Sequence, residues 1–182
     1  MTQSTATTTW NIDPKHSSAE FKVKHMMISN VKGKFGGLNG VLHLDGDNVA
    51  TSDIEASIDV STINTHDEQR DGHLKSAEFF DVEKYPTMTF KSTEIDATRS
   101  GESFNITGDL TIHGVTNPVT FAVDDLSLPA KDPWGNTRIG LSATAKINRK
   151  AYGLNWNATL EAGGVLVGDD VAITLDVQFV KQ

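Results

Sequence analysis

Apolar residues recur at every second position over long stretches of this chain, and that period restricts what it can fold into. In 19–25, Ala19, Phe21, Val23 and His25 share one face, while Glu20, Lys22 and Lys24 take the other. The same alternation runs through 54–60 (Ile54, Ala56, Ile58, Val60) and 104–112 (Phe104, Ile106, Leu110, Ile112). It returns in 139–147 (Ile139, Leu141, Ala143, Ala145, Ile147) and 171–179 (Val171, Ile173, Leu175, Val177, Phe179). Period two marks half-buried antiparallel strands. Shorter strands fit 34–44, 87–95, 119–124 and 157–167. Between Phe35 and Leu38 the parity slips, and Gly36-Gly37 is a natural bulge there.

One segment departs from the alternation. Asn64–Ala77 is polar and helix-compatible, with Thr65 as the candidate N-cap and Asp67 and Glu68 in the first turn. Turn residues mark loops at Asp45–Asn48, Arg99–Gly101, Val115–Pro118 and Asp132–Asn136. Eight or nine antiparallel strands with one short helix specify an all-β sandwich or closed barrel. Small residues on the inward faces (Ala19, Ala56, Gly108, Ala143, Ala145) leave two readings. Either they make room for a slender apolar ligand, or larger side chains opposite fill the space.

Composition narrows the function classes. The 182 residues suit one domain, 10–182, behind a Thr/Ser/Ala-rich tail, 1–9, read as frayed. There is no cysteine, so thiolate metal sites, cysteine nucleophiles and disulfides are excluded. A net charge of −8 argues against nucleic acid as a partner, which calls for a basic face. No apolar run is long enough for an integral membrane helix. The N-terminus lacks the charge and apolar core of a secretory signal, so the expected location is cytoplasmic, or periplasmic if a leader has been removed.

Motifs for chemistry are sparse. The six histidines form neither His-x-His nor His-Glu-x-x-His, so no metal site is expected. The stretch from Asp45 fails as a calcium loop, having Val49 and Ala56 at ligand positions. Gly33–Gly37 reads as a bulge or hairpin rather than a phosphate cradle. The densest polar cluster is Arg70-Asp71-Gly72-His73, followed by Phe79-Phe80. Its structural reading is a hydrogen-bonded tie between helix and barrel rim, with Phe79 and Phe80 plugging one end. His25 is a satisfied core histidine, a polar handle for a ligand head group, or an acid/base.

Taken together the motifs resemble the YceI-like family of polyisoprenoid-binding proteins. The resemblance runs from Ile12-Asp13-Pro14-Lys15-His16-Ser17 through Phe21–Met26 and Gly33-Lys34-Phe35. Its centre is Asn64–Ser76, leading into Phe79-Phe80-Asp81 and Tyr85–Ser92. It continues in Gly108–Thr116, Ile147–Lys150, Tyr152-Gly153-Leu154 and Val167–Val171. It implies an extended, eight-stranded, lipocalin-like antiparallel barrel whose apolar interior holds one isoprenoid-type lipid. The implied role is non-catalytic binding, transport or sequestration of a quinone, polyprenyl or related chain, with no cofactor beyond that lipid. On parity and this resemblance the expected lining is Phe21, Val23, Phe35, Ile58, Met88, Phe90, Ile112, Leu141, Ala143 and Ala145, with His25 as the polar contact. Two alternatives stand beside it: an enzyme using His25 or Arg70, Asp71 and His73 on a lipid-like substrate, and a filled barrel with a structural or stress-response role. A homodimer is compatible with each.

Overall fold

A computed structural model of the chain describes residues 6–46, 48–97 and 103–182. Among these the strands are β1 (Thr7–Ile12), β2 (Ser18–His25), β3 (Ser29–Phe35), β4 (Asn39–Asp45), β5 (Asn48–Asp59) and β6 (Thr87–Asp96). They continue with β7 (Phe104–Ile112), β8 (Val115–Leu126), β9 (Ala130–Lys131), β10 (Thr137–Asn148) and β11 (Val167–Lys181). One helix, α1 (Glu68–Lys75), lies between β5 and β6.

All the pairings are antiparallel, and the sheet closes on itself. β1 and β2 follow one bent path: β1 pairs with β4, β2 with β3, and both lie along β11. β3 and β4 likewise succeed each other across Gly36–Leu38. With each pair counted as one bent strand and the two-residue β9 set aside, eight strands ring the barrel. β10 and β11 shut it along a continuous register from Arg138↔Val180 to Asn148↔Asp170. The barrel is the one the family resemblance implies, and the alternation supplies its two-faced strands. In β7, Phe104, Ile106, Leu110 and Ile112 are buried on the inward face, while Asn105 and Asp109 are exposed on the other.

The connections distinguish two ends. One carries the β2–β3 turn, α1, the β7–β8 turn and residues 149–166; the other carries the β4–β5 turn and the β8–β10 connection. The second end is filled by Trp10, Ile12, Leu38, Leu42, Ile139, Val177 and Phe179. A second cluster, including Ile106, Phe121, Val123 and Tyr152, packs the β6–β8 wall.

Several local expectations need correcting. The cap of α1 is Asp67, which accepts from the Arg70 N–H at 3.0 Å, and not Thr65. His66 has φ +61 and turns the chain between them, leaving Thr65 buried with its hydroxyl in other bonds. No strand forms over 157–166, where the pairing is a single Thr159↔Val165 bridge. There the Asn157 side chain donates to the Val167 carbonyl at 2.8 Å and accepts from the Val167 N–H at 3.0 Å, standing in for a strand partner. The parity slip after Phe35 is the passage from β3 to β4 rather than a bulge, with Gly37 at φ +62. Gly33 lies within β3, not in a turn. Val115–Pro118 is strand; the turn is His113-Gly114, both at positive φ as a tight hairpin requires. β1 begins at Thr7, inside the stretch read as a tail, while residues 1–5, Asp47 and the Arg99–Gly101 loop lie outside the described residues.

Candidate functional site: an apolar lumen with one polar end

The barrel encloses a cavity of about 590 Å³. Its wall comes chiefly from the inward faces of β2, β5, β6, β7, β10 and β11, with α1 and residues 154–167 at one end. Small side chains create part of the space: Ala19, Ala56 and Ala143 all line it. Gly108 does not. A Cβ there would collide with the Phe90 ring, so a larger side chain occupies that gap.

Ten of the eleven residues expected at the site lie on this wall: Phe21, Val23, His25, Phe35, Ile58, Met88, Phe90, Ile112, Leu141 and Ala143. Ala145 does not. It faces inward against the core, but its methyl is short, and its ladder partner Ile173 supplies the wall instead. The filled-barrel expectation is therefore not met.

Polar wall residues gather where α1 and the 149–167 segment meet the barrel. They include Thr65, Asp67, Gln69, Arg70, His73 and Arg149, with His25 on the neighbouring strand. Most are already engaged. Arg70 donates from Nε to the Thr65 hydroxyl and from Nη2 to the Thr65 carbonyl, each at 2.8 Å. The Asp71 carboxylate accepts from the Thr65 N–H at 2.9 Å and from its hydroxyl. Thr65 in turn is fixed by the adjacent Asn64, which exchanges backbone hydrogen bonds with Lys34 of β3 at 2.9 and 3.0 Å. Arg70 and Asp71 thus tie the helix to the rim, as the structural reading expected.

His73 leaves that cluster. Its Nε2 lies 2.5 Å from Glu78 Oε2, and its ring packs edge-on against Phe79 and Trp156 at 5.1 and 4.7 Å. Phe79 also lies 5.4 Å from Trp156, and Phe80 lies 6.0 Å from Phe35. These aromatic groups form the lining at the helix end of the lumen. Asp71 is absent from the wall, so the Arg70–Asp71–His73 set is not assembled around one point in the cavity.

Arg149 was not singled out from the sequence as a site residue. Its side chain is almost wholly buried, yet no carboxylate lies closer than Asp169 at 3.8 Å. Its guanidinium donates to the carbonyls of Gly168 at 2.8 Å, Leu154 at 2.6 Å, Trp156 at 2.9 Å and Val167 at 3.3 Å. Burial lowers its pKa from the ordinary arginine value, while Asp169 acts the other way. A fork of fixed donors is suited to holding an irregular segment against the barrel. The missing sequence signal was structural: a loop without a ladder needs donors for its carbonyls.

A YceI-like domain model matches residues 10–179. A UPF0312 protein of Staphylococcus aureus strain USA300 is 39% identical over 173 residues, covering 94% of this chain and 97% of that protein. The crystal structure of the Campylobacter jejuni YCEI protein is 30% identical with TM-score 0.71, covering 87% of this chain and 90% of its own. Burkholderia cenocepacia BcnA has TM-score 0.78 at 23% identity, covering 92% of this chain and 98% of its own. A polyisoprenoid binding domain from Saccharophagus degradans has TM-score 0.67 at 18% identity, covering 95% and 98%. The last two carry the likeness of fold alone.

Proposed function

The chain belongs to the YceI-like family, and on that premise we propose that it binds one long apolar lipid of the isoprenoid type inside the barrel, without altering it chemically. The observation that carries this reading is the lumen itself: about 590 Å³ of largely apolar space, with polar groups gathered at one end. Such a site removes a lipid tail from water, at roughly 0.8 kcal/mol for each CH₂ buried. Its volume lies within the range of roughly 300–1,000 Å³ that ligand-binding cavities span. The description of the Saccharophagus degradans protein as a polyisoprenoid binding domain agrees with this reading. The tail lies along Ile58, Phe90, Leu141 and Ala143, and a polar head group lies near His25. Carriage or sequestration needs no more than this.

At the Arg70–Asp71–His73 cluster the geometry favours binding over catalysis. Arg70 and Asp71 converge on Thr65, and His73 turns to Glu78, so their polar atoms hold protein rather than substrate. Titration with an isoprenoid quinone tests the proposal, because quinones quench indole fluorescence and Trp156 lies on the wall. Saturable quenching that is lost in Trp156→Phe is the expected result. Quenching that is linear and unchanged by that substitution counts against it.

A further inference from the structure

At the polar end of the lumen the exposed large apolar side chains cluster at one tip, apart from Val115 at the start of β8, which is 37% exposed. Met26, Met27 and Ile28 form the β2–β3 turn and are 39, 59 and 79% exposed. The Met26 N–H donates to the Leu166 carbonyl at 2.8 Å, which braces this tip on the segment carrying Val165, itself 38% exposed. Met26 and Met27 have φ of +52 and +60. That conformation suits glycine or asparagine and is unfavourable for a methionine. A turn that serves only to reverse the chain would use the small polar residues.

The arm behind the tip is basic in an acidic protein. Residues 18–35 carry four lysines against one acidic residue, Glu20; the rest of the chain carries 12 basic against 23 acidic residues. Lys22, Lys24, Lys32 and Lys34 are all exposed on the outward face of the hairpin. Lys22 stands directly opposite Lys32 in the ladder, an arrangement that is repulsive unless an anion is nearby. Glu20 lies opposite Lys34, farthest from the tip. Asp67 and Glu68, at the start of α1, keep the helix side of the same end acidic.

We propose that the β2–β3 hairpin docks the protein on an anionic bilayer surface. The Met26-Met27-Ile28 tip enters the boundary between head groups and acyl chains, and the four lysines meet the anionic head groups. His25 and Leu166 flank the tip and line the lumen, so docking brings the polar end of the cavity to the lipid. The purpose of this contact rests on the lipid-binding reading. The contact itself rests on the tip and the charge, so each can fail alone.

The experiment is co-sedimentation of the whole chain with vesicles of phosphatidylcholine, alone or mixed with phosphatidylglycerol. Binding is expected to the mixed vesicles and to weaken with added salt. Met27→Glu/Ile28→Glu is expected to abolish it. Lys22→Glu/Lys32→Glu is expected to weaken it more than tenfold, since each lysine near such a surface contributes about a fivefold factor. Leu128→Glu/Trp134→Glu, at the opposite end and at least as exposed, is expected to leave it unchanged. Circular dichroism of all three variants checks that the barrel is intact. No sedimentation with mixed vesicles overturns the proposal, as does equal sedimentation by the tip variant. Self-association that the tip variant removes, without vesicle binding, assigns the tip to a second copy and also overturns it.

Discussion

Arg70 holds Thr65 at two points, its hydroxyl and its carbonyl, and so joins α1 to the segment hydrogen-bonded to β3. The helix contains no buried residue, so little apolar packing fixes it in place. Arg70→Ala is therefore expected to cost about 1.5–3 kcal/mol, the range for a hydrogen bond to a charged group. Urea denaturation reads that loss. Arg70→Lys should recover little of it, because an ammonium cannot reproduce the fork. The same variants should release bound lipid faster, since α1 forms part of the wall.

Arg149 makes a larger claim on stability. Truncation to Met leaves the carbonyls of Leu154, Trp156, Val167 and Gly168 without this donor. The expected destabilisation is about 3 kcal/mol or more, given the ~1–3 kcal/mol cost of each buried polar group left unsatisfied. Hydrogen exchange should show faster exchange over 154–168 while the β6–β8 wall keeps its protection. Uniform loss across both regions would contradict a local role.

The strands and their inward faces are legible in the sequence because period two is local information that each strand carries independently. Phe21, Val23 and His25 fall on the wall for that reason. Closure into a barrel rather than a sandwich is legible only through the family motifs. The features that are not legible are non-local or depend on one backbone angle. Ala145 obeys the parity, yet whether an inward methyl reaches the lumen depends on the neighbouring Ile173. Thr65 has the chemistry of an N-cap, but His66 at φ +61 moves that role to Asp67. The four carbonyls that Arg149 collects come from a segment with no periodicity to reveal it. Gly33 carries no mark that the Phe21 ring would lie against it from the facing strand; a Cβ there would strike that ring.

Acid should destabilise the protein through Asp13 and Asp132. Arg138 contacts both, at 2.6 and 2.7 Å, and bridges β10 to the chain before β2 and to the β8–β10 connection. Hydrogen bonds from Arg138, first, then from His16 to Asp13 and from Asn136 to Asp132, hold both carboxyls well below the usual range. A folded-state pKa below the unfolded value near ~3.9 contributes stability that is complete above that value and is lost as pH falls toward the folded pKa. Denaturation midpoints should therefore fall from about pH 4 downward. Asp13→Asn/Asp132→Asn should start less stable at neutral pH and lose less on acidification. An identical acid slope in both proteins would contradict the assignment.

Ala143 separates cavity from core. It is 2% exposed to solvent and lines the lumen, so Ala143→Phe projects a ring into the path of the tail. Overpacking is expected to cost about 1–3 kcal/mol, leaving a folded barrel by circular dichroism that no longer binds quinone. Retained binding at full stoichiometry in the folded variant would place the lipid elsewhere.

Native mass spectrometry of the protein purified without detergent, followed by solvent extraction, reads directly whether the lumen carries a lipid. A lipid-binding barrel gives a defined adduct that organic solvent releases as an isoprenoid lipid, or an empty protein that takes up one added isoprenoid quinone per chain. An unliganded mass that stays unchanged when such quinones are added would contradict the lipid-binding reading.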